Sequence, residues 1–190
     1  MTVDADHVAD DLESVLLTEE QILERVGTLA RELGKDYAGR SPVLIGVLGG
    51  AATFTVDLAR AYENQIEISW MAIRSYTTHK RASGSVRLLK DLDLDIAGRD
   101  VIIVDGVIDT GLTMTWLISN LAQRGPASVA VCALLRKPDT PAFEGTPVYA
   151  GFDAGPGLIV GYGLDYQGKY RNLRCTAVLA PHVYGAAPAR

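Results

Sequence analysis

The stretch Val101–Met114, VIIVDGVIDTGLTM, decides how the chain folds. Four apolar residues run into Asp105, Asp109 follows, and then comes Thr110-Gly111-Leu112-Thr113. A short apolar run bounded by turn residues reads as a buried strand, here Val101 to Asp105, and Thr113 to Arg124 reads as the helix after it. In an open α/β sheet, ligands gather outside the carboxyl ends of the strands, so both acids fall on the functional edge. The N–H groups and hydroxyls of Thr110–Thr113 suit a phosphate, helped by the positive end of the helix dipole. Gly111 permits close backbone approach. An N-cap aspartate with a tight turn is the plainer reading of the same residues.

Outward from this stretch, strand and helix patterns alternate. Thr18, Glu19, Glu20 and Gln21 form a capping box ahead of Ile22, Val26, Leu29, Ala30 and Leu33 at helical spacing, with Gly34 as the expected stop. Val43–Leu48 reads as a buried strand, 51–62 as a helix, and Ile66–Ile73 as a strand. The polar, basic run SYTTHKRASGSVR, starting at Ser75, reads as an exposed loop that ends in a short strand near Val86–Leu89. Val129–Leu135 reads as a further strand, and short strands are expected over Val148–Gly151, Leu158–Val160 and Thr176–Leu179. This order implies α/β architecture: an open twisted sheet with a parallel core, flanked by helices. One domain is expected over 18–182, after an acidic, flexible extension at 1–17 and before a flexible tail at 183–190.

Composition narrows the function classes. The 190 residues suffice for one sizeable core, and a formal net charge of −5 gives no electrostatic case for nucleic-acid binding. No apolar run is long enough to span a membrane, and the acidic start does not resemble a signal peptide, so a cytoplasmic location is expected. The two cysteines, Cys132 and Cys175, lie in apolar contexts and read as buried thiols rather than metal ligands.

The pattern of an apolar strand, an acid and Asp-Thr-Gly-x-Thr resembles the phosphoribosyl-pyrophosphate (PRPP) signature of type I phosphoribosyltransferases. The hypoxanthine-guanine branch is the nearest. GVLGGA (Gly46–Ala51), Ser75-Tyr76, LLRKP (Leu134–Pro138) and VGYGLDYQGKYRNL (Val160–Leu173) extend the resemblance over 18–179. It implies the fold of that family, with a small hood, and transfer of a 5-phosphoribosyl group from PRPP to a 6-oxopurine or related heterocycle.

The resemblance also implies roles. Thr110, Gly111, Leu112 and Thr113 would hold the 5′-phosphate, and Asp109 would be the general base near purine N7. Lys137 would donate to O6, Tyr149 would stack on the base, and the Ala150 carbonyl would face its 2-position. Gly49, Gly50 and Arg171 would meet pyrophosphate, with a cis peptide at the first loop. Ser75 and Tyr76 would belong to the closing loop. Asp105 and Gly106 would face the ribose and Mg²⁺, with Asp105 as metal-side ligand. A homodimer or homotetramer is implied as well.

Three departures touch one part of this site. The family's Glu-Asp pair is Asp105-Gly106 here, and its Leu-Lys-Gly loop is Leu48-Gly49-Gly50. The family's Pro-Asp pair gives way to Gly155-Pro156-Gly157, with Asp153 nearby at a different position of that segment. Two carboxylates and one ammonium are thus missing around metal and pyrophosphate, which weakens the expected Mg²⁺ ligand set. A non-catalytic PRPP or nucleotide sensor, and an enzyme that cleaves a nucleotide's N-glycosidic bond or transfers ribosyl groups, stand as alternatives on the same fold.

Overall fold

A computed structural model of the chain describes residues 3–76 and 85–185. The elements, in chain order, are a 3-10 segment at Val3–Asp11, β1 (Leu12–Leu17), α1 (Glu19–Asp36), β2 (Val43–Leu48), α2 (Ala52–Ala61) and β3 (Glu67–Tyr76). They continue with β4 (Ser85–Lys90), β5 (Asp100–Ile108), α3 (Leu112–Ala122), β6 (Ser128–Arg136) and β7 (Val148–Asp153). The last are β8 (Ile159–Val160), β9 (Thr176–Leu179) and α4 (Pro181–Tyr184).

Six strands form the main sheet in the order β4-β3-β2-β5-β6-β7. All neighbours pair in parallel except β4, which runs antiparallel to β3. Buried residues fill both faces of the sheet. On one face Leu44, Ile102 and Cys132 pack with Ile22, Leu29, Phe54 and Leu58 of α1 and α2. On the other, Ile45, Ile103 and Val131 pack with Met114, Leu117 and Leu121 of α3. Burial on both faces is why these strands read as continuous apolar runs rather than alternating ones. A second, antiparallel sheet, β1-β9-β8, forms the hood.

The Thr18 cap has the expected form: its hydroxyl accepts from Gln21 N at 3.3 Å and the Gln21 side chain accepts from Thr18 N at 2.9 Å. Three expectations need correction. Helix α1 passes through Gly34 and ends at Asp36, because Tyr37 beyond it is buried in the core and holds the last turn against it. Strand β5 continues past Asp105 to Ile108, paired with β6 as far as Arg136. Residues Leu12–Leu17, expected in the extension ahead of the domain, are β1 of the hood, paired with β9 from the far end of the chain.

Of the expected closing loop, Ser75 and Tyr76 are the last residues of β3, opposite Val86 and Ser85. Residues 77–84, and 186–190 of the expected tail, lie outside the described residues. No helix among the described residues is long and apolar enough to cross a membrane.

Candidate active site

The carboxyl ends of β2, β5 and β6 define one edge of the sheet. The segment after β5 turns at Gly111, which caps α3 in the left-handed conformation with φ 76°. The cap is therefore Gly111, not Asp109. A Cβ on Gly111 would also lie 3.3 Å from both Pro141 Cδ and Phe143 Cε1, so backbone conformation and close packing both require glycine. The first-turn amides of α3, beginning with Leu112 and Thr113, have no partner within the helix and lie at its positive end. Leu112 N donates to the Thr110 hydroxyl at 3.5 Å, and the N-cap Gly111 carries no side chain to cap the others.

Beside this turn, Lys137 follows the end of β6. Its ammonium lies 3.0 Å from Asp109 Oδ1, and its backbone N–H donates to the Ile108 carbonyl at 2.9 Å. The Asp109 and Lys137 side chains are 54% and 33% exposed, so the pair faces the cleft. Sequence placed these two groups in separate motifs; the parallel pairing of β5 and β6 brings them into contact.

Near the carboxyl end of β5, Asp105 is half-buried and accepts from Gly106 N at 2.7 Å. Burial pushes its carboxyl up to about 7, against the opposing effect of backbone N–H bonds from Gly106 and Val107. The neighbouring Gly106 is buried. A Cβ there would meet the Gly50 carbonyl oxygen at 2.9 Å and Leu164 Cδ2 at 3.0 Å. An aspartate at 106 therefore requires the Gly49–Gly50 loop to move. The Leu48–Gly49 peptide is cis.

Gly49 faces Arg171, with guanidinium atoms 3.5 Å from where its Cβ would stand. Arg171 Nη1 donates to the Gly163 carbonyl at 2.6 Å, and Nη2 pairs with Asp165 at 2.7 Å. Asp165 also accepts from Gly168 N at 2.7 Å. The expected pyrophosphate residues Gly49, Gly50 and Arg171 thus stand together, and Gly163, Leu164 and Asp165 support them. These supporting residues lay inside the matched C-terminal block, but only contacts single them out.

Tyr149 and Ala150 have protein partners that the resemblance does not imply. The Tyr149 hydroxyl donates to Asp36 Oδ2 at 2.6 Å, near the amino ends of the strands. The Ala150 carbonyl accepts from Arg25 Nη2 at 2.7 Å, and that of Gly151 from Arg25 Nε at 3.0 Å. The cause is register: Tyr149 lies opposite Cys132, five residues before Lys137, or roughly 16 Å along a strand. β7 is an edge strand packed under α1, so α1 engages its outer carbonyls. The aromatic nearest the carboxyl edge of β7 is Phe152, opposite Leu135.

Among the described residues, no three His, Cys, Asp or Glu side chains gather as a metal site. Asp105 stands on β5 beside Gly106, and Asp153 is exposed at the end of β7 in register with Arg136. Cys132 and Cys175 are buried and are not joined in a disulfide.

The family model described as "Phosphoribosyl transferase domain" matches residues 14–167. Hypoxanthine-guanine phosphoribosyltransferase of Mycobacterium avium is 48% identical over 180 residues, covering 92% of this chain and 89% of the relative. The enzyme of the same name from Bacillus subtilis (strain 168) is 38% identical over 174 residues, covering 92% and 97%. Among solved structures, a hypoxanthine phosphoribosyltransferase from Staphylococcus aureus superposes with TM-score 0.88 at 35% identity, covering 95% of this chain and 98% of that one.

Proposed function

The chain belongs to the phosphoribosyltransferase family, and on that premise we propose that its site has two halves, one for the purine and 5′-phosphate and one for pyrophosphate. The reaction is transfer of a 5-phosphoribosyl group from PRPP to a purine base, with release of pyrophosphate. The relatives named above are transferases, which favours transfer over a sensor or a glycosidic-bond hydrolase.

In the first half, Thr110, Gly111, Leu112 and Thr113 hold the 5′-phosphate through amides and hydroxyls at the start of α3. As the C1′–N bond forms and the C1′–O bond to pyrophosphate breaks, the purine loses an N–H proton, which the Asp109 carboxylate accepts. Lys137 donates to a carbonyl on the base, which favours a 6-oxopurine over a 6-amino one. The single observation that carries this reading is the 3.0 Å approach of Lys137 to Asp109 at the mouth of the phosphate loop.

In the second half, Arg171 and the Gly49–Gly50 backbone receive pyrophosphate, and Asp105 receives the ribose hydroxyls. Mg²⁺ fits as an ion carried by PRPP, since it is commonly held by one or two carboxylates together with substrate phosphates and water. Asp105 would supply that carboxylate. When bound, the ion would supply charge neutralisation for pyrophosphate as a leaving group. A homodimer or homotetramer is proposed from the family resemblance.

The test is a product assay with PRPP, Mg²⁺ and hypoxanthine, guanine or xanthine, following nucleotide and pyrophosphate. Stoichiometric formation of both from at least one base is expected. Ribose 5-phosphate without nucleotide, or binding without turnover, would overturn the reading.

A further inference from the structure

The Asp109–Lys137 pair is too exposed to hold its own geometry. An ion pair open to solvent contributes little, since water screens it and two side chains must be ordered to make it. The phosphate turn beside it is held by one long, exposed side-chain bond, from Leu112 N to the Thr110 hydroxyl at 3.5 Å. Beside the Lys137 N–H bond to the Ile108 carbonyl, a second tie between these groups lies one layer below them, at Thr140.

Thr140 is 4% exposed, on the loop between β6 and β7. Its hydroxyl lies 2.6 Å from the Asp109 carbonyl oxygen and 3.2 Å from that of Ile108. With a single proton to donate, it makes the shorter bond to Asp109, and Ile108 stays within reach. Its N–H donates to the Lys137 carbonyl at 3.0 Å, and its carbonyl accepts from Arg136 Nη2 at 3.2 Å. One buried residue thus joins the backbone of the acid to the backbone of the lysine. The two residues following in the same loop that touch the turn, Pro141 and Phe143, pack against Gly111.

We propose that Thr140 is a positioning residue for phosphoribosyl transfer, setting the Asp109 carboxylate and the Lys137 ammonium in register with the phosphate turn. The proposal rests on the functional reading above. Thr140 touches neither substrate in that reading; it acts by fixing the loop on the base side to the loop on the phosphate side. The backbone carbonyl it holds belongs to the residue that accepts the proton, so loosening it displaces the carboxylate directly. Small misplacements of reacting groups have large rate effects.

The experiment compares wild type, Thr140→Val and Thr140→Ser. Valine keeps the shape and removes the hydroxyl; serine restores it. Steady-state kcat and KM for PRPP and base are measured with thermal unfolding and with GMP binding by calorimetry. Thr140→Val is expected to fold, to lose about 10- to 100-fold in kcat, and to bind GMP more weakly. Thr140→Ser is expected within about three-fold of wild type, because it can make the same donated bond.

A folded Thr140→Val with wild-type kcat overturns the proposal, and so does a Thr140→Ser no better than Thr140→Val. A Thr140→Val chain that does not fold also overturns it, since the hydroxyl then serves the fold rather than the site. A wild type that makes no nucleotide sinks the functional reading instead. A wild type that turns over beside an unimpaired Thr140→Val sinks this inference alone.

Discussion

On the α3 side of β5, an acid and a lysine from neighbouring loops meet at 3.0 Å over a turn whose amides are open. On the β2 side of the same strand, glycine faces glycine: Gly106 lies so close to the Gly50 carbonyl that a single added carbon would stand 2.9 Å from it. The first region keeps the charged groups proposed above to recognise the base. The second has lost charge and closed the space those charges need. The two positions have different surroundings: a Cβ at 106 meets the Gly50 backbone and Leu164, whereas a Cβ at 49 meets the Arg171 guanidinium at 3.5 Å. The loop that lacks a side chain at 49 and 50 lies down on the strand position that lacks one at 106. In the reading proposed above, leaving-group and metal binding would fall to Arg171, Asp105 and the substrate's own oxygens.

The contrast is broken most forcefully at Asp109. Replacing it with alanine should lower kcat by about 10²- to 10⁴-fold, the range for a lost general base, with an unchanged circular dichroism spectrum. A wild-type rate in that variant would move the essential chemistry to the other half. The next largest effect is expected at Gly106. Gly106→Asp restores a carboxylate in name, but it drives a side chain into Gly50 and Leu164. Overpacking of this kind costs about 1–3 kcal/mol, so thermal melting should fall and KM for PRPP should rise. A lower Mg²⁺ requirement in Gly106→Asp, at undiminished stability, would show that the loop yields freely.

Arg25 sharpens the comparison from outside both regions. Its guanidinium satisfies the Ala150 and Gly151 carbonyls of β7 and pairs with Glu32 at 2.8 Å. Arg25→Ala should destabilise the chain by about 1–3 kcal/mol, measured by denaturant unfolding, because hydrogen bonds from a charged donor are lost. Asp105 carries the smallest effect, a pH dependence. Its folded-state carboxyl, pushed up to about 7, binds a proton through a window in which the unfolded chain has already released it. Stability should therefore fall as pH rises from about 4 to 7, by an amount on the order of 1 kcal/mol for a half-buried group. With EDTA present, Asp105→Asn should melt like wild type near pH 5 and higher than wild type at pH 8. Equal melting at both pH values would place no cost on the buried charge.

Much of this was legible in sequence where the cause is local. The Thr18–Gln21 box and the Asp109–Thr113 turn are read from neighbours a few residues apart, and both are present in the structure. The parallel sheet followed from apolar runs separated by helices. What escaped the reading depends on partners distant in the chain. Leu12–Leu17 looked like an acidic extension because its partner is β9. Gly106 looked like a vacancy in the metal shell; only the Gly50 carbonyl shows it as a packing contact. Tyr149 is expected at the base from its motif; that it pairs opposite Cys132 and that its hydroxyl donates to Asp36 depend on partners the motif does not contain. Thr140 sits in an ordinary loop sequence, and nothing short of the fold brings it to Asp109.

The most direct measurement is a crystal structure of the protein with GMP. The account predicts the 5′-phosphate on the amides of residues 110–113, at about 2.7–3.2 Å, with the 6-oxo group against Lys137 and the purine beside Asp109. A nucleotide seated elsewhere, with that turn blocked or empty, would contradict it.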